Sequence, residues 1–131
     1  MAPAESLLPE LRQRIAAAIR LVRSRIRWKA GKDTSHLRTR IGYGHLPVTA
    51  TLADYEQIIG SVVNDDSAAV YGYFWRQDIY PAVVGIYQSR RWLVMFGLNG
   101  VMETAFPPDD PDEYLADDRF RFLDIVRELM K

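Results

Sequence analysis

Apolar residues at Leu8, Leu11, Ile15, Ala18, Ile19, Val22 and Ile26 recur every three or four positions, the spacing of one stripe on an α-helix. A long first helix over about 5–29 follows from that stripe. Arg12, Arg20, Arg23 and Arg27 fall mostly off it, so the outer face of this helix is cationic. The rhythm then stops. Residues 30–50, AGKDTSHLRTRIGYGHLPVTA, hold three glycines, a proline and both histidines, and read as irregular structure with at most one short turn or strand. From Thr51 the helical spacing returns at Leu52, Tyr55, Ile58, Ile59, Val62 and Val63. Thr51 and Asp54 stand as a capping box at the start of a second helix over about 52–63.

Beyond Asn64–Ser67 the pattern shortens to runs rich in Val, Tyr, Phe and Trp, AVYGYFWR, AVVGIYQ, WLVMFGL and VMETAF, which predict four strands. Asp78 to Pro81 marks a loose first connection, Ser89–Arg90–Arg91 a tight hairpin, and Asn99–Gly100 a type I′ turn in which both residues take positive φ. PPDDPDEYLADD reads as an acidic surface loop. Phe120, Leu123, Val126, Leu129 and Met130 space a C-terminal helix over 117–131. The expectation is one α+β domain spanning 1–131, with two N-terminal helices packed on a four-stranded antiparallel sheet and a C-terminal helix. Trp75, Trp92, Phe74, Phe96 and Phe106 alternate with aliphatic residues and read as sheet core before they read as base-stacking platforms.

Composition narrows the chemistry. A chain of 131 residues with 48% hydrophobic and 26% charged residues can bury a core in a single domain. No cysteine is present, which removes disulfides, thiolate metal sites and cysteine nucleophiles. No run approaches a membrane span, and the N-terminus lacks the apolar stretch of a secretory signal, so a cytoplasmic site of action is expected. The net charge of zero hides an asymmetry. Residues 1–45 carry ten basic against three acidic residues, a net of +7, and 46–131 carry the opposite −7. Either one face meets a polyanion or the two halves neutralise each other in the fold.

GxxxxGK, HExxH, CxxC and GxSxG are all absent, and two histidines with proline-loop carboxylates build no recognisable metal set, so neither metal nor cofactor is expected. Metal-free acid–base chemistry remains. His36 and His45 lie nine residues apart with Arg38, Arg40 and Tyr43 between them. Imidazole titrates near neutrality and guanidinium matches a phosphate, the groups that RNA cleavage by its own 2′-hydroxyl requires. Arg90 and Arg91, at a hairpin, can also project toward a ligand phosphate.

The order SHLRTRIGYGH, then TLADYEQII, then RRWLVMFGLNGVMETAFPP followed by DEYL resembles the phage-barnase, EndoU, colicin and Rel-toxin-like nuclease superfamily, over about residues 34–115. It is most similar to the small phage-barnase-type domains. The resemblance implies a helical part covering a four-stranded antiparallel sheet and a metal-independent ribonuclease of the toxin or effector kind. RNA such as tRNA or mRNA would be its partner, with a cognate immunity or antitoxin protein as its inhibitor. It makes His36 and Arg40 the histidine and arginine of the family's H-x-x-x-R-H-like motif, and Thr104 a hydroxyl at the scissile phosphate. The next position is Ile41, where the family often has a second histidine, so His45 or Tyr43 becomes the second proton-transfer group. The rival expectation is a non-catalytic protein-interaction domain docking through the basic first helix or the acidic loop. A third is nucleic-acid binding without cleavage.

Overall fold

The computed structural model describes the chain from Ala2 to Lys131, with side chains from Pro9 onward. The first helix, α1 (Ala2–Ser24), buries Ile15, Ala18, Ile19 and Val22, the stripe its spacing predicts. It stops five residues earlier than expected. Residues after Ser24 leave the helix because Arg27 forms a parallel bridge with Val101 and its carbonyl accepts from the Met102 amide at 2.8 Å. That bond fastens the end of α1 to the sheet edge.

The expectation of irregular structure over 30–50 is overturned by a helix, α2 (Lys32–Gly42). Gly31 takes φ 77° at its N-terminal boundary and no side chain caps it, so the usual start signal is missing from the sequence. Only Leu37 and Ile41 of this helix pack on the core, too few to set up a visible period. Its end matters more than its start. Gly44 takes φ 74°, and the His45 amide donates to the Arg40 carbonyl at 2.9 Å. The chain therefore turns back on the last helical turn, and buried Leu46 anchors the return.

The helix α3 (Leu52–Val63) matches its expectation, with Thr51 and Asp54 closing both bonds of the capping box and Tyr55, Ile58, Ile59, Val62 and Val63 buried. Four strands follow: β1 (Ala69–Trp75), β2 (Asp78–Tyr87), β3 (Arg90–Phe96) and β4 (Met102–Phe106). Their turns differ from expectation. β2 begins at Asp78, so Arg76–Gln77 makes the first connection and Pro81 lies inside the strand opposite Gly72. The second hairpin turns at Gln88 and Ser89, with φ 49° and 70°, and Arg90 already pairs with Tyr87. At Asn99–Gly100 only Gly100 takes positive φ, 80°, while the Asn99 side chain accepts from the Val101 amide at 3.0 Å.

After a single turn of helix, α4 (Pro111–Leu115), the expected C-terminal helix is replaced by a fifth strand, β5 (Phe120–Ile125), and a one-turn helix, α5 (Val126–Leu129). Phe120 and Phe122 alternate toward Tyr73 and Tyr71 of β1, a period of two that outweighs the helical spacing of Leu123, Val126 and Leu129. The sheet is antiparallel throughout, in the order β4-β3-β2-β1-β5. The protein is thus α+β with five strands and, before the sheet, three helices instead of two.

One sheet face, carrying Val70, Val83, Trp92, Val94, Phe96 and Ala105, packs under the helical layer. The other carries Ala82, Val84, Leu93 and Phe120 with Tyr71, Tyr73, Met95 and Phe106, and Leu115 of α4 packs on it. Tyr114 of α4 reaches Phe106 of β4 at 5.3 Å and Phe120 of β5 at 5.5 Å, so this segment spans the second face between the two edge strands. Among the described residues no helix is long and apolar enough to cross a membrane.

Candidate functional site

At the β4 edge, the end of α2 and the start of the 107–118 segment enclose a cleft of about 440 Å³ lined by Arg40, Tyr43, His45, Thr104, Phe106 and Asp109. Four of the residues singled out in the sequence, Arg40, Tyr43, His45 and Thr104, therefore meet in one place. The fold back at Gly44 brings this about, because it returns His45 to the Arg40 side chain five residues behind it.

Arg40 dominates the cleft. The residue is only 8% exposed, yet it makes no ion pair with a carboxylate among the described residues. Its guanidinium lies over the Phe106 ring at 5.3 Å and the Tyr43 ring at 5.7 Å. Its one side-chain hydrogen bond runs from Nη1 to His45 Nδ1 at 3.1 Å, and its buried Nε has no partner. Burial lowers its pKa, with the Tyr55 and Tyr43 hydroxyls opposing. A guanidinium does not lose its proton near neutrality, so the charge stays. A buried charge without a counter-ion is costly, and here it opens onto a cleft.

The same bond sets the state of His45. Arginine only donates, so Nδ1 accepts and the ring proton of the neutral imidazole sits on Nε2. Burial lowers the His45 pKa, and the charges of Arg40 and Arg90 push the same way against Asp109. The ring stacks on Tyr43 at 5.7 Å and 20°. Tyr43 is 73% exposed and forms the outer lip. Behind the cleft, the buried Tyr55 hydroxyl donates to the Ala105 carbonyl at 2.5 Å and fixes β4 against α3 beside Thr104. Burial pushes this phenol up to about 12, so it is a positioning group and not a proton donor at neutral pH.

Other expected site residues lie elsewhere. His36 is one helical turn before Arg40, but its ring packs on Trp28 at 5.5 Å and it does not line the cleft. Burial first, then Arg40 and Lys32, lower its pKa. His36, which the nuclease resemblance makes catalytic, thus stands apart from Arg40, His45 and Thr104 in this cleft. Arg38 is exposed and off the cleft, two positions from Arg40 and so on the other side of α2. Arg91 is committed to Asp112 at 2.8 Å in the acidic segment. Arg90 is exposed and does not line the cleft, although its charge helps depress the His45 pKa.

Sequence reasoning missed Asp109, Tyr114 and the cleft-lining role of Phe106. Their signal was the run FPPDDPDEY, in which prolines hold carboxylates and rings on a surface segment. The charge asymmetry is spent in part on internal pairing: Arg12 meets Asp124 at 2.8 Å, Arg23 meets Asp66 at 3.8 Å and Lys29 meets Glu103 at 3.4 Å. Among the described residues no three or more His, Asp or Glu side chains are grouped to hold a metal ion. No family model matches the chain, and no curated protein and no solved structure matches it significantly.

Proposed function

We propose that the Arg40 cleft receives a phosphodiester of RNA and that the chain is a metal-independent ribonuclease. The observation that carries this reading is a single one. Arg40 is nine-tenths buried, has no carboxylate partner and an unsatisfied Nε among the described residues, and lines a cleft whose other polar side chains are His45, Thr104, Tyr43, Asp109 and Tyr114. A phosphate would satisfy that guanidinium through two parallel N–H···O bonds and supply the missing counter-charge. The Thr104 hydroxyl would orient a second phosphate oxygen.

Once a phosphate takes Nη1, His45 Nδ1 is released and the ring can carry its proton there. Nε2 then accepts the proton of the 2′-hydroxyl, the 2′-oxygen bonds to phosphorus and the bond from phosphorus to the 5′-oxygen breaks. Tyr43 protonates the departing oxygen. The products are a 2′,3′-cyclic phosphate and a 5′-hydroxyl, and Arg40 neutralises the charge that gathers on phosphorus between them. His45 held below its ordinary pKa is unprotonated at neutral pH, the form a base requires.

The test is incubation of the purified chain with total RNA in EDTA, beside Arg40→Met and His45→Ala. Fragments ending in cyclic phosphate from the wild type alone support the reading. Intact RNA with the wild type removes cleavage, and equal cleavage by all three removes this cleft. A second reading, RNA binding without cleavage, is favoured by one observation: in the free protein Arg40 holds His45 in the tautomer that has no base at Nε2. Retention of RNA that weakens steeply with salt, without cleavage, is its signature.

A further inference from the structure

The cleft at Arg40 continues past Asp109. Phe106, Pro108, Asp109 and Tyr114 also form one wall of a larger cleft of about 750 Å³ on the second face of the sheet. Tyr114 stands at the junction, 40% exposed, its ring edge-to-face with Phe106 at 5.3 Å and tilted against Phe120 at 5.5 Å. With Phe106 it is one of two partly open aromatic residues shared by both clefts, and the more exposed of them.

The two clefts have opposite chemistry. The first offers the Arg40 guanidinium. The second offers carboxylates, of which Asp117 is taken by Arg119 and Asp110 caps α4 by accepting from the Glu113 amide at 3.2 Å. The side chains of Asp109 and Glu113 have no hydrogen-bond or ion-pair partner among the described residues. An anion is repelled there. What fits is a flat ring to lie against Tyr114 with N–H donors on its edge, joined to a phosphate one step away. A nucleotide has that composition.

We infer, on the reading that the Arg40 cleft holds an RNA phosphodiester, that the adjoining cleft is a subsite for one unstacked base and that Asp109 and Glu113 select bases with an exocyclic amino group against uracil. Adenine, cytosine and guanine each present an amino group that donates to a carboxylate. The pairing edge of uracil has one N–H between two carbonyl oxygens, which meet the carboxylates with like partial charge. Stacking on a tyrosine is tolerant of sequence, so the choice rests on the carboxylates. Their charge also repels further phosphates, which limits the subsite to a single nucleotide.

The experiment measures binding of 2′-O-methyl tetranucleotides of A, C, G or U, which cannot be cleaved, to the wild type, Arg40→Met, Tyr114→Leu and the double variant Asp109→Asn/Glu113→Gln, with circular dichroism as a check on folding. The A, C and G oligomers are expected to bind about tenfold tighter than U. The double variant should erase that gap, chiefly by letting U bind better, and Tyr114→Leu should weaken all four alike. Equal affinity for the four with loss of binding in Arg40→Met overturns the base subsite and leaves the phosphate reading standing. No binding by the wild type, or binding that Arg40→Met leaves unchanged, overturns both. A gap that persists in the folded double variant also overturns the role given to the carboxylates.

Discussion

Replacing Arg40 by methionine separates a ligand-binding arginine from a structural one, because the two roles predict opposite changes in stability. Methionine keeps the unbranched stem as far as the position of Nε and removes the charged head. The substitution loses the bond to His45, worth about 1 kcal/mol, and the two ring contacts, worth together about 1–2 kcal/mol. It relieves the unpartnered buried Nε, which costs about 1–3 kcal/mol, and the desolvation of a charge that has no counter-ion. The sum lies near zero. Urea and thermal unfolding of Arg40→Met should therefore stay within about 1.5 kcal/mol of the wild type, or roughly 6 °C for a domain of this size. A ligand opens the second comparison. A 2′-O-methyl RNA oligomer at a hundred times its Kd stabilises the wild type by about 2.7 kcal/mol and should leave the variant unmoved. Destabilisation of 3–5 kcal/mol, the cost of breaking a buried ion pair, would show that Arg40 holds the fold together and refute the argument. An equal ligand shift in both proteins would place the ligand elsewhere.

Three further outcomes test the supports of the site. Tyr55→Phe deletes only the hydroxyl that reaches the Ala105 carbonyl and should cost about 1–3 kcal/mol in urea unfolding; a neutral result would show that this bond does not fix β4. Gly100→Ala meets Leu21 Cβ at 2.7 Å with φ 80° and should cost more than Gly44→Ala, where φ is 74° but nothing lies within 4 Å and only the backbone penalty of about 1 kcal/mol remains. Folded His36 and His45 both titrate below 6.5, so beneath that pH the unfolded chain binds more protons. The urea midpoint should be flat above pH 7, fall as the pH drops through 6.5 toward the folded values, and fall less steeply in His36→Gln/His45→Gln; a midpoint that rises on acidification contradicts the direction assigned to both.

The elements legible in the sequence are those whose burial is one-sided and regular. The stripe of α1, the capping box of α3 and the alternating runs of β1 to β4 each repeat a period that the core then enforces. α2 was hidden because it lies at the β4 edge with only Leu37 and Ile41 on the core, and because a glycine in the left-handed region opens it without a side-chain cap. β5 was hidden for a different reason. FRFLDIVRELM satisfies both periods at once, and only the neighbouring aromatic face of β1, invisible from the segment alone, favours two over 3.6. The same holds for the turns, where Asn99 donates its conformation to no positive φ but uses its side chain as an acceptor.

The candidate site divides along a similar line. Arg40, Tyr43 and His45 were legible because one short turn joins them, and a local return of the chain is a sequence-level event. Their meeting with Thr104 and Asp109 depends on β4 reaching the end of α2, a long-range contact that spacing cannot express. His36 lies outside the cleft for the converse reason: its position one turn from Arg40 has the right helical face, but Trp28 comes back from the end of α1 and packs against its ring. Charge tells the most. Arg12, Arg23 and Lys29 of the basic half each find a carboxylate of the acidic half, so three of its ten cations serve cohesion. Arg40 is the most buried arginine and is paired with none among the described residues. A fold that gives the half-buried Arg12 and Arg23 their carboxylates while leaving the more deeply buried Arg40 uncompensated has placed that cost at a cleft where an incoming anion can remove it.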